Sequence, residues 1–285
     1  MGKHAREFRR MVVEDPSIRL AAVFEGTSGD DRLIGTAKAD TFHAYEGGSD
    51  RLTGNAGNDT FHLGGAFDPI DGGDGRDILR LNGDYSAGLL IDRTMLTGVE
   101  RIIYGSFPAS PRHDYALTFT EDLHDGATVQ TLTIGSGDHW YELANEVTID
   151  ASAMTRTRLD IESSIKDDVI RGGQLADRLA GDSGADVIYG GGGRDIFEFR
   201  GYDAEARRSF DTIMDFARGD RIELMGYGTD FRLGAADGEA GTIDIRYARR
   251  SDTTILTIST DETPRPELII HLAGNHDLTI DDFIF

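Results

Sequence analysis

Gly54-Asn55-Ala56-Gly57-Asn58-Asp59-Thr60-Phe61-His62 fits the pattern G-G-x-G-x-D-x-U-x, with U apolar and Asn55 standing where a second glycine is expected. Six residues of this unit suit a turn, and the last three suit a short strand. Glycines at positions one, two and four allow φ > 0 and let the backbone carbonyls turn inward, where a Cβ would block them. The aspartate at position six adds a carboxylate, and the apolar residue at position eight points into a core. Two such units close one coil, so each loop stacks on the loop two repeats later. Stacked strands lie ~4.8 Å apart and Ca²⁺ takes oxygen ligands at ~2.4 Å, so a calcium ion fits between two loops of this kind.

Working outward, the unit can be phased from Gly26 to Arg80, with Ala44 as one extra residue. Position six is then Asp31, Asp40, Asp50, Asp59, Asp68 and Asp77, and position eight is Leu33, Phe42, Leu52, Phe61, Ile70 and Leu79. Lys38 and Ala66 replace the fourth glycine in two repeats, which marks those loops as weak or ion-free. The unit returns at Ser163 and runs to Phe199, with Asp168, Asp177, Asp186 and Asp195 at position six and Ile170, Leu179, Ile188 and Phe197 at position eight. There Lys166 and Leu175 displace the fourth glycine of the first two repeats.

Composition agrees with a chain that binds cations. The 285 residues hold 51 acidic against 29 basic side chains, a net charge of −22, which argues against nucleic acid or an anionic membrane as the main partner. Glycine, at 36 residues, is nearly twice its usual share while proline is only 6, so the glycines mark turns more than a disordered linker. Cysteine is absent, which excludes disulfides and thiol catalysis and leaves metal as the means of cross-bracing.

The expected organisation is all-β. Residues 1–25 read as a leader joining a first strand, with a membrane-surface helix as the other reading; no signal-peptide h-region and no bilayer-spanning apolar run occur. Residues 26–80 form a first calcium-binding parallel β-roll and 163–199 a second. Between them, 81–162 lose the repeat but remain rich in β-branched runs, predicting either a continued parallel solenoid without calcium or an antiparallel sandwich. Residues 200–285 are expected to form a β cap over the open end of the roll.

These motifs together resemble the RTX-type calcium-binding proteins exported by bacterial type I systems. Asp211 to Leu224, of the form D-x-I-x-D-F-x-x-G-D-x-I-x-L, is similar to the segment after the roll in serralysin-type proteases, and Asp282-Phe283-Ile284-Phe285 is similar to their uncleaved secretion signals. The resemblance implies that the ten position-six aspartates, with the backbone carbonyls of Gly26, Gly29, Gly54, Gly57, Gly72, Gly172, Gly181 and Gly190, hold about four to eight Ca²⁺ ions. It also implies a secreted, extracellular or surface-associated protein whose C-terminus engages the type I apparatus.

No catalytic motif accompanies the repeats, so the expectation is a non-enzymatic structural, adhesive or surface-associated factor. H-E-x-x-H, G-x-S-x-G, a P-loop, a dinucleotide fingerprint and an EF-hand loop are all missing. Gly181-Asp182-Ser183-Gly184 looks like a serine-protease nucleophile loop, but it lies inside a phased repeat. The alternatives are a membrane-active or pore-forming effector, and an accessory module for a polysaccharide- or protein-acting enzyme. A glycan or surface partner would be extracellular, and neither nucleic-acid binding nor stable membrane insertion is expected. Three lesser features have two readings each. His43 and His62, both at position nine, are an exposed ladder or a transition-metal pair. Trp140 is a core aromatic or a sugar platform, and Asp211, Asp215 and Asp220 cap turns or bind further calcium.

Overall fold

In a computed structural model the chain is almost entirely β. The structure describes residues 9–12, 21–65, 67–105, 113–124, 129–135, 146–200, 210–227, 231–234, 242–248, 250–259 and 268–285. Trp140 with His139 and Tyr141, and Ala66, lie outside the described residues.

One sheet forms the spine. Its eleven strands are hydrogen-bonded in the order Val23–Glu25, Thr41–Ala44, Thr60–Leu63, Ile78–Leu81, Arg101–Tyr104, Gln130–Gly135, Thr157–Glu162, Arg178–Ala180, Ile196–Arg200, Arg221–Met225 and Phe283–Ile284, every pair parallel. Parallel neighbours arise because each coil returns the chain in the same direction. The register advances 18 residues from Thr60 to Ile78 and from Arg178 to Ile196, and 19 from Thr41 to Thr60, where Ala44 is the additional residue.

Two further sheets cover the other side of the coil. A five-stranded parallel sheet faces the first part of the spine and runs from Arg9–Val12 through Asp31–Ile34, Arg51–Thr53 and Ile70–Asp71 to Leu96–Thr97. A ten-stranded sheet begins at Tyr85–Ile91 and continues in parallel through Tyr115–Phe119, Val147–Asp150, Val169–Arg171, Val187–Tyr189 and Asp211–Ile213 to Leu268–Ala273. From there it turns antiparallel through Thr253–Ser259 and Thr242–Ala248 and ends on Arg232–Gly234, parallel to the last of these. Parallel pairing thus runs through the stretch that lacks the nonapeptide.

What unites the coils is a single apolar column on the inner face of the spine: Phe24, Phe42, Phe61, Leu79, Ile102, Ile134, Ile161, Leu179, Phe197, Ile222 and Phe283 are Cα partners in succession, and none is more than 5% exposed. Because strand side chains alternate, one apolar residue at a fixed place in each coil is enough to build this wall. At its start the rings of Phe24, Phe42 and Phe61 are stacked at 4.8 and 4.7 Å between centroids. On the outer face of the second part, Glu198 bridges Arg178 and Arg200, each at 2.5 Å, and with Glu162 and Glu223 ties four neighbouring coils together.

Candidate metal-binding loops

The column fixes where the turns go. With position eight locked into the core, position six of every repeat falls at the corner between loop and strand. All ten repeat aspartates are buried there, none more than 4% exposed.

Their carboxylates form ladders along the axis. In each stacked pair one oxygen of the later aspartate accepts a hydrogen bond from the backbone amide of the earlier one: Asp31 N–H donates to Asp50 Oδ1 at 2.9 Å, Asp50 to Asp68 at 2.8 Å, Asp40 to Asp59 at 2.7 Å and Asp59 to Asp77 at 2.7 Å. In the second block Asp168 donates to Asp186 at 2.8 Å and Asp177 to Asp195 at 2.9 Å. Stacking two repeats apart brings these carboxylates close together, and each pair also ties one coil to the next.

The ladders extend beyond the repeats. Asp77 N–H donates to Glu100 at 2.8 Å, Asp186 N–H to Asp211 at 2.9 Å and Asp195 N–H to Asp220 at 3.0 Å. Glu100 was missed at the sequence level. The signal was nonetheless present, because Glu100-Arg101-Ile102, Asp211-Thr212-Ile213 and Asp220-Arg221-Ile222 all repeat the acid-x-apolar spacing of the nonapeptide. Asp215 serves the loop beside it, accepting from Gly190 N–H at 2.8 Å and Gly191 N–H at 2.9 Å.

Carbonyls line the same space. A methyl group on Gly54 would overlap Asp59 Oδ2 and the Gly72 carbonyl, one on Gly35 would meet the Gly54 carbonyl, and one on Gly75 the Gly57 carbonyl. Likewise Gly48 is set against the Gly29 carbonyl, Gly172 against that of Gly190, and Gly191 against those of Gly172 and Gly173. The Gly181 carbonyl accepts from Ser163 Oγ at 2.7 Å, while Gly26 is placed by its amide, which donates to the His43 carbonyl at 2.8 Å.

Electrostatically these corners are costly without a counter-charge. Burial pushes Asp50, Asp59 and Asp77 up to about 6 against the amide donations that would lower them, and neighbouring carboxylates add to the rise. Asp168 and Asp177 are raised by burial to about 6 as well, and Asp195 to about 7. Burial, followed by the adjacent Asp211 carboxylate, drives Asp186 far above the ordinary range. Oδ2 of Asp50, Asp59, Asp77 and Asp186 is buried and accepts no hydrogen bond. Among the described residues no three acidic or histidine side chains converge as a metal cluster, so an ion here would draw most of its ligands from the backbone. A corner of unpaired carboxylate oxygen and inward carbonyls, without nitrogen or sulfur, fits a hard cation such as Ca²⁺.

His43 and His62 lie in register on the outer face, 4.9 Å apart edge to face, with Tyr45 against both rings. His43 Nδ1 is 2.8 Å from Glu25. His62 is buried rather than exposed, and burial lowers it to about 4. A separate polar cluster lies between the blocks: Asp122 accepts from the amides of Thr155 and Arg156 at 3.1 and 2.9 Å and from Thr157 Oγ1 at 3.0 Å. Burial would raise this carboxyl, but the donors outweigh it and hold it at about 2.

Comparison with known proteins places these features. Residues 142–285 match the family profile of the peptidase M10 serralysin C-terminal module, and residues 25–47 and 45–79 match that of the RTX calcium-binding nonapeptide repeat. None of the curated proteins compared with the chain matches it. Among solved structures, the extracellular lipase LipA from Serratia marcescens is similar at 16% identity and a TM-score of 0.26, over 91% of this chain; the chain spans 40% of the lipase.

Proposed function

This chain belongs to the RTX calcium-binding family with a serralysin-type C-terminal module, and from that premise we propose that it is a secreted protein whose β-rolls fold on Ca²⁺ outside the cell. The observation that carries the proposal is the row of buried carboxylate oxygens at Asp50, Asp59, Asp77 and Asp186 that accept no hydrogen bond beside inward-facing carbonyls. Buried anions without partners are strongly unfavourable, and a divalent cation removes that penalty. The repeat aspartates and the glycine carbonyls between successive loops are the proposed ligands. Both matched modules are non-catalytic ones, and the proposed role is structural, adhesive or surface-associated, with an extracellular glycan or surface as partner and export through a type I apparatus.

Circular dichroism and sedimentation with and without chelator test the reading. Removal of Ca²⁺ is expected to lose strand signal and expand the chain, with Mg²⁺ a poor substitute because it dehydrates reluctantly and demands tighter geometry. An unchanged spectrum in chelator, with no calcium bound at saturation, would overturn it.

A further inference from the structure

Eight of the ten repeat loops fall into two classes that the nonapeptide pattern does not distinguish. In one class the amide of position two folds back onto Oδ2 of its own position-six aspartate: Thr27 to Asp31 at 2.6 Å, Thr36 to Asp40 at 2.6 Å, Ser164 to Asp168 at 2.7 Å and Gly173 to Asp177 at 2.8 Å. In the first three the hydroxyl adds a second donor, at 2.7, 2.8 and 2.9 Å. Oδ2 is then satisfied within the protein, and in Asp40, Asp168 and Asp177 Oδ1 also accepts an amide, from Ala22, Val147 and Leu159.

In the other class, the loops of Asp50, Asp59, Asp77 and Asp186, Oδ2 is buried and accepts nothing, although each residue is at most 3% exposed. Position two of three of these loops is turned into the left-handed region, Asn55 at φ 76°, Gly73 at 95° and Asp182 at 60°. None of the position-two residues of the closed class has positive φ. Asn and Asp tolerate that region better than most residues, whereas β-branched Thr does not. In these three loops position two is turned away from its own aspartate; in the Asp50 loop Glu46 keeps an ordinary φ and the carboxylate is left open all the same.

We propose that among these eight loops cation binding is confined to the open ones of Asp50, Asp59, Asp77 and Asp186, and that in the closed loops the position-two amide, reinforced by Thr27, Thr36 and Ser164 hydroxyls, stands in for the ion. The loop of Asp31 separates this rule from the glycine pattern: it keeps Gly29 at position four, yet Thr27 closes it. Ser163 strengthens the closure around Asp168 by donating to the Gly181 carbonyl, which removes a second ligand from that gap. The closed loops give the roll coils that need no metal beside coils that do.

The inference rests on the calcium-folding reading and is tested on the full-length chain by counting bound Ca²⁺ at saturation, with circular dichroism in parallel. Asn55→Thr is expected to close the Asp59 loop, lose one equivalent of calcium and lower the calcium concentration needed for folding. Asp31→Asn is expected to leave the stoichiometry unchanged, whereas Asp59→Asn loses at least one equivalent. Because Asp31→Asn also breaks a closure, Asn55→Thr, which adds one, is the deciding variant if the former fails to fold. Unchanged stoichiometry in Asn55→Thr, or equal losses in folded Asp31→Asn and Asp59→Asn, would overturn the division of loops while leaving calcium-driven folding intact. A wild-type chain that binds no calcium would overturn both.

Discussion

At the scale of single residues, the buried aspartates make stability depend on pH in an unusual direction. Their folded values, about 6 for Asp50, Asp59 and Asp77 and about 7 for Asp195, lie above the ordinary ~3.9 of an unfolded carboxyl. Between those values the folded chain holds more protons than the unfolded one, so its cation-free stability is greatest below the unfolded value and falls as pH rises through about 6 to 7. In chelator, strand content is therefore expected to be higher at pH 5 than at pH 7.5, by circular dichroism; the opposite order would contradict these environments. Asp122 behaves in the reverse sense. Its contribution is present above the unfolded value and is lost only as pH falls toward about 2. Asp122→Ala strands the donors of Thr155, Arg156 and Thr157 and should cost about 3 kcal/mol in a denaturant melt of the calcium-saturated protein. Of these roles the repeat aspartates were legible from spacing alone. Asp122 was not, because its donors lie more than thirty residues away and no local pattern links them.

At the scale of elements, the strands were readable because position eight alternates into the core at a fixed period. The Phe24–Phe42–Phe61 stack is the clearest product of that period. Phe42 is fully buried between two rings, so Phe42→Ala should lower stability by about 3–5 kcal/mol at saturating Ca²⁺, measured by denaturant unfolding, without changing the number of ions bound. What spacing could not decide was how residues between the repeats pair. Ile102, Ile134 and Ile161 carry the same column through coils of irregular length, and only the register reveals it. The switch of the opposing face from the strand at Leu96–Thr97 to the sheet that starts at Tyr85–Ile91 was equally hidden, since the coil concerned contributes strands to both sheets.

At the scale of the whole molecule, the C-terminal residues serve the fold as well as the proposed export. Phe283 pairs with Ile222 and ends the apolar column, while Asp282 accepts from Thr279 N–H at 2.7 Å in the preceding turn. Deleting Phe283 to Phe285 is expected to abolish appearance in the medium from a host with a matching type I exporter, yet to leave calcium-induced folding of the first roll largely intact. Full-length levels of the truncated chain outside the cell, without lysis, would refute the export role. The spine sheet has a mechanical consequence too. Val23–Glu25 lies at one edge and Phe283–Ile284 at the other, with each coil bonded only to its neighbours. Tension applied between the two edges loads one strand at a time, so the molecule should yield by peeling, not by shearing. Under an optical trap it should lengthen in a sawtooth whose steps follow the coil lengths, the 18-residue repeat coils each releasing roughly 60 Å at ~3.4 Å per residue and the longer coils between the blocks more, with higher force peaks when Ca²⁺ braces the loops.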